Sequence, residues 1–518
     1  MPTVDHLANE ILSQIFVHWQ TMERDQAPPE AFLRSLSGAL VNKHWNTLIN
    51  NTPELWSTVV IVLPEAPLMY NQSPQYWDRA LQHAHRCISA SAALPLTLVV
   101  ASILEGSVPH GYDAFKPVNQ RHMSRVRPLL IDNASRIETL AFKCLFNVGD
   151  HLLRYIEEQK MELPILRRCF FQRGHAYTDF SYNIEGAPGL GRIWAAPRLQ
   201  HLSAALDSMQ AAALPLHLPS LQKVELTASM THPRLVDFLA RAPNLERILV
   251  TTLGPPFAEP GPTQQMLRSY SNQLANLVTL GLNWQARQLT LTDLPTMPAL
   301  QHAYLSTYGL PHLEPPENGK HEELGMISVF LRKHSESLRT LSIFLNFYGD
   351  RAAVEAEEVG ILPHLPNLEC LAFWSKGMAG MLDVWKHLLR IQANRDPSQP
   401  LLLPRASTFR HIWSQGFGAE ELESFIDSNE FRQWVASRAL EKMELLVGFK
   451  KTNRVEEREC QQNFILRLQP GSQRPWVDVH ILPKDAFTNG CARGFPDGEG
   501  LSLIEHAAIP SIRPEPWY

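Results

Sequence analysis

A short apolar motif, L-x-x-L-x-L, recurs along most of this chain and constrains its fold more than any other feature. The first residue of the motif returns at intervals of 22 to 38 residues. A single unit of this length cannot bury its own apolar face, whereas stacked units build a continuous core. We therefore expect the anchor positions to be structural and buried. They are Ile137, Leu166, Leu199, Leu221, Leu245, Leu277, Leu300, Leu338 and Leu368.

The spacing of the motif resembles that of a leucine-rich-repeat array with irregular insertions. Several intervals contain a helix-like run, for example residues 233–242, so each repeat is predicted to be a short strand plus a helix. Nearer the N-terminus, strand-like runs at 56–63 and 95–100 enclose a helix-like run at 76–88. Strand, helix and strand in that order require a parallel crossover. An α/β solenoid with a parallel sheet is the predicted architecture.

The motif weakens after about residue 400 and is followed by a different pattern. Diverged copies begin at Ser407 and Ala439. The runs FILRL from Phe464 and WVDVHIL from Trp476 are predicted to form a hairpin, and a tail rich in proline and glycine follows them. The predicted domains are a helical domain at 1–56, the solenoid at 57–450, and the hairpin with its capping tail at 451–518.

The residues on either side of the second anchor of each motif are predicted to face the concave surface of the sheet. They mix charged, aromatic and small side chains, as a protein-binding surface does. A solvated sheet face without a partner is the alternative for any one of them. The candidate target-binding residues are His201, Lys223, Glu225, Arg247, His302 and Tyr304.

Two apolar stripes of helical spacing precede the array. Leu7, Ile11, Ile15 and Trp19 recur at steps of four, which predicts a helix over 5–20 with Asp5 as its N-cap. The second stripe predicts a helix that ends at 50–53 and consists of Leu40, Val41, Trp45, Leu48 and Ile49.

The segments that flank the second helix are predicted to be irregular or extended. Residues 22–30, MERDQAPPE, are polar with a double proline and are predicted to form a loop. After Pro53, Leu55 and Trp56 are predicted to return to the core on an extended segment, with Trp56 buried where the helices meet the first strand.

The segment HLANEILSQIF, followed by ALVNKHWNTLINNTPELW, resembles an F-box of the kind found in basidiomycete fungal proteins. The resemblance covers about the first 60 residues, and it departs at Ala8, where the family usually has proline after leucine. It implies binding to a Skp-type adaptor, and through it to a cullin, in an SCF-type ubiquitin ligase. The repeat domain would then hold an unidentified target protein.

The resemblance also implies which residues contact the adaptor. Small domains bury their largest side chains internally, so a core role is the favoured alternative for Ile11 and Trp45. The candidate adaptor-binding residues are Leu7, Ile11, Leu12, Ile15, Phe16, Val41, Trp45 and Leu48.

Charge and cysteine usage argue against several other classes of protein. The net charge of −5, from 47 basic and 52 acidic residues, gives no footprint for nucleic acid or an anionic membrane. The six cysteines form no close pair, which favours reduced thiols over a disulfide scaffold or a zinc module. No signal peptide and no apolar run long enough to cross a bilayer is visible. A cytoplasmic or nuclear location is expected.

Catalytic motifs for phosphate binding, acyl transfer or zinc hydrolysis are absent from the sequence, so we expect no enzyme activity and no cofactor. Two rivals to a ligase receptor stay open. One is an interaction scaffold without a ligase role, and the other is a hydrolase or transferase with unfamiliar motifs.

Overall fold

The protein forms two compact units in our computed structural model, which divide between Glu225 and Leu226. The structure describes residues 8–26, 43–64, 74–103, 116–144, 148–173, 190–208, 217–229, 232–253, 274–284, 294, 296–307, 329–345, 365–375, 389, 393–394, 403–413, 424, 426–436, 442–447 and 477–481.

The first unit begins with helices and continues as alternating strands and helices. Strands β1 to β5 are parallel and pair in chain order. The elements are α1 (Asn9–Gln26), α2 (Lys43–Asn50), a 3-10 helix (Pro53–Trp56), β1 (Thr58–Pro64), α3 (Pro74–Ala90), β2 (Leu96–Ile103), α4 (Lys116–Asn133), a second 3-10 helix (Ala134–Arg136), β3 (Ile137–Cys144), α5 (Val148–Glu158), β4 (Arg168–Arg173), α6 (Gly191–Trp194), β5 (His201–Ser208) and β6 (Lys223–Ser229), within which the division falls.

The second unit continues with strands β7 to β14, which are again parallel and pair in chain order. Residues 329–333 are also helical. Its elements are α7 (His232–Arg241), β7 (Arg247–Leu253), β8 (Thr279–Trp284), β9 (His302–Thr307), β10 (Thr340–Leu345), β11 (Cys370–Ser375), β12 (Thr408–Trp413), α8 (Asn429–Ala436), β13 (Lys442–Val447) and β14 (Val477–Ile481).

The predicted α/β class with a parallel sheet is confirmed in each unit. All nine anchor residues are at most 2% exposed, and a strand begins at the anchor or two residues after it. The weaker copies at Ser407 and Ala439 contain β12 and β13. The motif therefore predicted strands even after residue 400, where its leucines no longer recur regularly.

A tight turn precedes most of these strands and explains why proline recurs along the chain. The anchor N–H donates to the carbonyl three residues earlier, from Leu245 to Ala242 at 3.2 Å and from Leu300 to Met297 at 3.0 Å. Proline is the second residue of these turns because its fixed φ suits that position. The prolines of this kind are Pro164, Pro197, Pro219, Pro243, Pro298, Pro366 and Pro404.

Within each unit, a turn is joined to the next by the backbone carbonyl of the residue that follows the anchor. The carbonyl of Glu246 accepts from Val278 at 2.8 Å and from Thr279 at 3.0 Å. The carbonyl of Gln301 accepts from Arg339 at 2.8 Å and from Thr340 at 2.9 Å. The start of one strand therefore fixes the start of the next.

Two local predictions are wrong. Helix α1 continues to Gln26, so residues 22–26 are not a loop. Residues 22–26 tolerate a helix, and the chain-breaking prolines come only at Pro28 and Pro29. Leu55 and Trp56 lie in a 3-10 helix and not on an extended segment. Pro53 begins that helix with a favourable φ, and the Leu55 N–H donates to the Thr52 carbonyl at 3.2 Å.

The C-terminal prediction is met only in part. Val477–Ile481 is a strand, and it pairs in parallel with β13. The FILRL run, which was to be the other half of the hairpin, lies outside the described residues, as does Asp5. The domain boundaries at residues 56 and 450 stay predictions.

Candidate functional site

The N-terminal helices pack on each other through one aromatic contact and one polar contact. The rings of Phe16 on α1 and Trp45 on α2 meet edge to face, with centroids 5.0 Å apart. The hydroxyls of Ser13 and Thr52 lie 3.2 Å apart, and that of Thr52 also donates to the Leu48 carbonyl at 2.8 Å. These contacts bury the inner face of α1 and close the end of α2.

The face of α1 next to this buried one presents large apolar side chains to solvent. Ile11 is 47% exposed and Ile15 is 44% exposed. They lie one helical turn apart, and the exposed Ala8 precedes Ile11 by three residues. Ala8, Ile11 and Ile15 therefore form one outward stripe, which we call the α1 stripe.

The predicted adaptor-binding residues divide between this stripe and the core. Leu12 is fully buried and Phe16 is 5% exposed, so in this conformation both are core residues. The core role favoured for Ile11 is wrong, because its side chain is exposed. Trp45 and Leu48 are half-buried, and Leu7 and Val41 lie outside the described residues.

Trp56 is the centre of the junction between the helices and the first repeat. It is 3% exposed, which confirms its predicted burial, and its Nε1 donates to the Ile49 carbonyl at 2.9 Å. The guanidinium of Arg86 on α3 lies 5.1 Å from the centre of its ring. The same side chain donates from Nη2 to Asn50 Oδ1 at 2.9 Å.

The chain leaves this junction directly into the sheet. The Ser57 carbonyl accepts from the Thr97 N–H at 2.9 Å, one residue before β1 begins, so the junction continues into the β1–β2 pairing. Arg86 was missed by the sequence analysis. It lies 36 residues from Asn50, and no local pattern in the sequence predicts so distant a contact.

In the first unit the sheet face carries a row of basic side chains. Register pairing places Thr139, Arg168 and His201 side by side. The Lys223 N–H donates to the Gln200 carbonyl at 2.9 Å, which brings the start of β6 beside the start of β5. Arg168 is exposed, whereas His201 and Lys223 are half-buried.

Charge and burial act together on His201. The pKa of His201 is lowered to about 4. Burial is the largest cause, and the positive charges of Lys223 and Arg168 add to it. Arg168 donates from Nε to Thr139 Oγ1 at 3.0 Å, which fixes one side of its guanidinium. Glu225, two residues beyond Lys223, is only 6% exposed and belongs to the packed part of the face.

In the second unit the predicted face residues also align in register. Arg247, Thr279 and His302 share one row, and Leu249, Gly281 and Tyr304 share the next. Tyr304 is 3% exposed and Leu249 is 2% exposed. The predicted target-binding side chain of Tyr304 is therefore a packing residue in this structure, while Arg247 and His302 are half-buried.

A polar cavity of about 230 Å³ lies in the second unit beside the turns that precede β9 to β12. Arg339 and Glu369, which both line the cavity, form a half-exposed ion pair with Nη1 and Oε1 2.9 Å apart. Two acidic and two basic side chains balance each other around it. Its polar lining is Gln301, Glu336, Ser337, Arg339, Asn367, Glu369 and Arg405.

The buried cysteines are poor nucleophiles. Burial raises the pKa of Cys169 to about 12, and it raises the pKa of Cys87 to about 11 even though Cys87 Sγ lies 3.4 Å from His83 Nε2. A thiol needs a lowered pKa to react at neutral pH. Across the described residues, no three histidine, cysteine or acidic side chains gather as a metal site requires.

Comparison with known proteins gives no relative from which to transfer a function. No protein-family profile matches the chain. No curated protein is significantly similar to it. In the described part of the chain, no helix has the length and apolar character that a membrane crossing requires.

Proposed function

We propose that this chain is the substrate-recognition subunit of an SCF-type cullin-RING ubiquitin ligase. The observation that carries the proposal is the α1 stripe, in which Ile11 and Ile15 are exposed on the helix that resembles the first F-box helix. Contiguous exposed apolar side chains on a soluble helix favour a protein partner. That partner is a Skp-type adaptor, which in turn binds a cullin.

The junction at Trp56 supports the second half of the proposal. A receptor acts by holding its target close to a transferring enzyme, which raises the effective concentration of the target lysine. Such an effect requires a fixed connection between the adaptor-binding helices and the target-binding sheet. The contacts of Trp56 with Ile49 and Arg86 supply this connection within the first unit.

An interaction scaffold without a ligase role is the alternative. It would use the same sheet face but would have no need for an adaptor. A measurement of adaptor binding therefore distinguishes the two functions, whereas a measurement of target binding does not.

The test is co-purification of the full chain with a Skp-type adaptor. We expect wild-type protein to retain the adaptor and the Ile11→Asp/Ile15→Asp variant to lose it, because two carboxylates in the stripe cannot be desolvated at an apolar interface. Asn9→Asp is the matched control, since Asn9 is exposed on the same helix and lies two positions before Ile11, on a different face.

Leu12 is unsuitable for this test because it is fully buried. Leu12→Asp would unfold the helices and remove binding for a trivial reason. Circular dichroism of each variant distinguishes the two effects. A wild-type chain that fails to retain the adaptor would refute the receptor function and leave the scaffold.

A further inference from the structure

We propose that Arg168, His201 and Lys223, on the sheet face of the first unit, form a binding site for the carboxylate groups of an acidic segment in the target protein. The inference rests on the proposed function in one respect: that function makes the acidic ligand part of a target protein. The site itself is defined by three side chains on the neighbouring strands β4, β5 and β6.

The geometry brings three basic groups together. Neighbouring strands lie about 4.8 Å apart, so three residues in one row span roughly 10 Å. Arg168 and His201 are direct register partners, and Lys223 begins the next strand beside His201. In an extended run of acidic residues, every second side chain points the same way, and these lie about 7 Å apart, within this span.

The chemistry of the three side chains suits carboxylates. Arg168 uses Nε for its bond to Thr139, which positions the guanidinium so that its terminal nitrogens are the donors for a carboxylate. Lys223 adds a second charge at the other end of the row. The positive charges of Arg168 and Lys223 repel each other across the half-buried ring of His201. An anion bound between them reduces this repulsion.

His201 links this site to pH. The groups that face it from the flanking strands are Arg168 on β4 and Lys223 on β6, with the buried Glu225 two residues beyond Lys223. Burial and the two cations hold the pKa of the free ring at about 4. A bound carboxylate stabilises the charged ring, so its pKa is higher in the complex. Binding then takes up a proton and becomes tighter as pH falls.

The test uses the full chain and a fluorescent peptide of consecutive glutamates, with the matching glutamine peptide as the uncharged probe. We expect the glutamate peptide to bind and the glutamine peptide not to bind. Arg168→Gln and Lys223→Gln are each expected to weaken binding roughly tenfold, the usual effect of losing a charged hydrogen bond. Arg198→Gln removes an exposed charge from the turn before β5 and is the matched control, with an expected change below about twofold.

The pH profile gives a second readout. As pH falls from about 6.5 to 5, the affinity of the wild type is expected to rise relative to that of His201→Gln, because a bound carboxylate raises the pKa of His201 from its free value of about 4. The proposed site would be overturned if Arg198→Gln weakened peptide binding as much as Arg168→Gln does. Identical pH profiles for the wild type and His201→Gln would also overturn it.

Competition identifies the source of the anion. Inorganic phosphate is expected to displace the glutamate peptide only weakly, since a single ion cannot contact both ends of the row. Displacement as strong as that by unlabelled peptide would show a site for a free anion and would refute a protein target. Ile11→Asp/Ile15→Asp is expected to keep peptide binding, so failure of the proposed ligase role and failure of this site are distinguishable.

Discussion

Leu249 on β7 and Tyr304 on β9 pack against each other across strand β8. The residue of β8 between them is Gly281, which shares their row and has no side chain to separate them. Both are at most 3% exposed. A position that the sequence assigns to target binding is thus used for packing on the sheet face.

The contact between Leu249 and Tyr304 makes a prediction about coupled stability. Leu249→Ala is expected to lower the free energy of unfolding by about 2–5 kcal/mol, and Tyr304→Ala by a similar amount. The double variant should lose less than the sum, by about 0.5–3 kcal/mol, because the two side chains share one contact. Urea denaturation of the four proteins measures this. Strict additivity would contradict the contact.

Trp56→Phe tests the junction. The substitution keeps an aromatic ring beside Arg86 but removes the Nε1 donor, so the buried Ile49 carbonyl loses its partner. We expect a loss of about 1–3 kcal/mol in the free energy of unfolding. Phe16→Leu, which retains an apolar side chain in the α1 core, serves as a comparison without a lost hydrogen bond. An unchanged stability for Trp56→Phe would show that the bond to Ile49 is unimportant.

His334 gives the chain a pH-dependent stability. Its carbonyl accepts from the N–H of the anchor Leu338, four residues later, as the carbonyls of the apolar Met297 and Leu365 accept from their anchors in the neighbouring repeats, and His334 is 2% exposed. Burial, with a smaller contribution from the charge of Lys333, lowers the pKa of His334 to about 4, and a contact with the Met297 backbone offsets this only partly. No described group makes a hydrogen bond of good geometry with either ring nitrogen.

The sign of the pH effect follows from this lowered pKa. The unfolded chain binds a proton at His334 below about pH 6.5, whereas the folded chain does so only near pH 4. Stability is therefore complete above pH 6.5 and is lost as pH falls towards 4, by about 3 kcal/mol at most. Denaturation midpoints at several pH values test this. His334→Leu should reduce the slope of the profile between pH 6.5 and 4, to which His201 and His83 also contribute through their lowered pKa values. An unchanged slope would contradict the assignment.

The proline turns make a smaller prediction. Pro298→Ala keeps the native φ accessible but frees the unfolded chain, so a loss of about 0.4–1 kcal/mol is expected. Leu300→Ala, two residues later, removes a fully buried anchor and should cost about 2–5 kcal/mol. Thermal unfolding of both variants gives the comparison. A larger loss at Pro298 than at Leu300 would reverse the roles assigned to them.

The strands were predictable because their signal is local. Each anchor leucine, the proline turn before it and the alternating pattern after it lie within about ten residues, and that short pattern decides which residues are buried. The alternation also placed Thr279 and His302 on one row before any register was known.

Burial on the sheet face and contacts across the chain were not predictable in this way. Tyr304 is buried through Leu249 and Gly281, which belong to two other strands, and Arg86 reaches Trp56 from a helix 30 residues later. For the same reason the apolar residues of α1 were predictable, but not that Ile11 is exposed and Leu12 is buried.

The paired hydrogen bonds at the strand starts allow the connections between strands to differ in length. The carbonyls of Glu246 and Gln301 set where the next strand begins, whatever number of residues intervenes. Leu277 and Leu300 are 23 residues apart and Leu300 and Leu338 are 38 apart, yet the rows they precede remain in phase. Connections can therefore gain or lose residues, by evolution or by design, while the side chains of the sheet face keep their register.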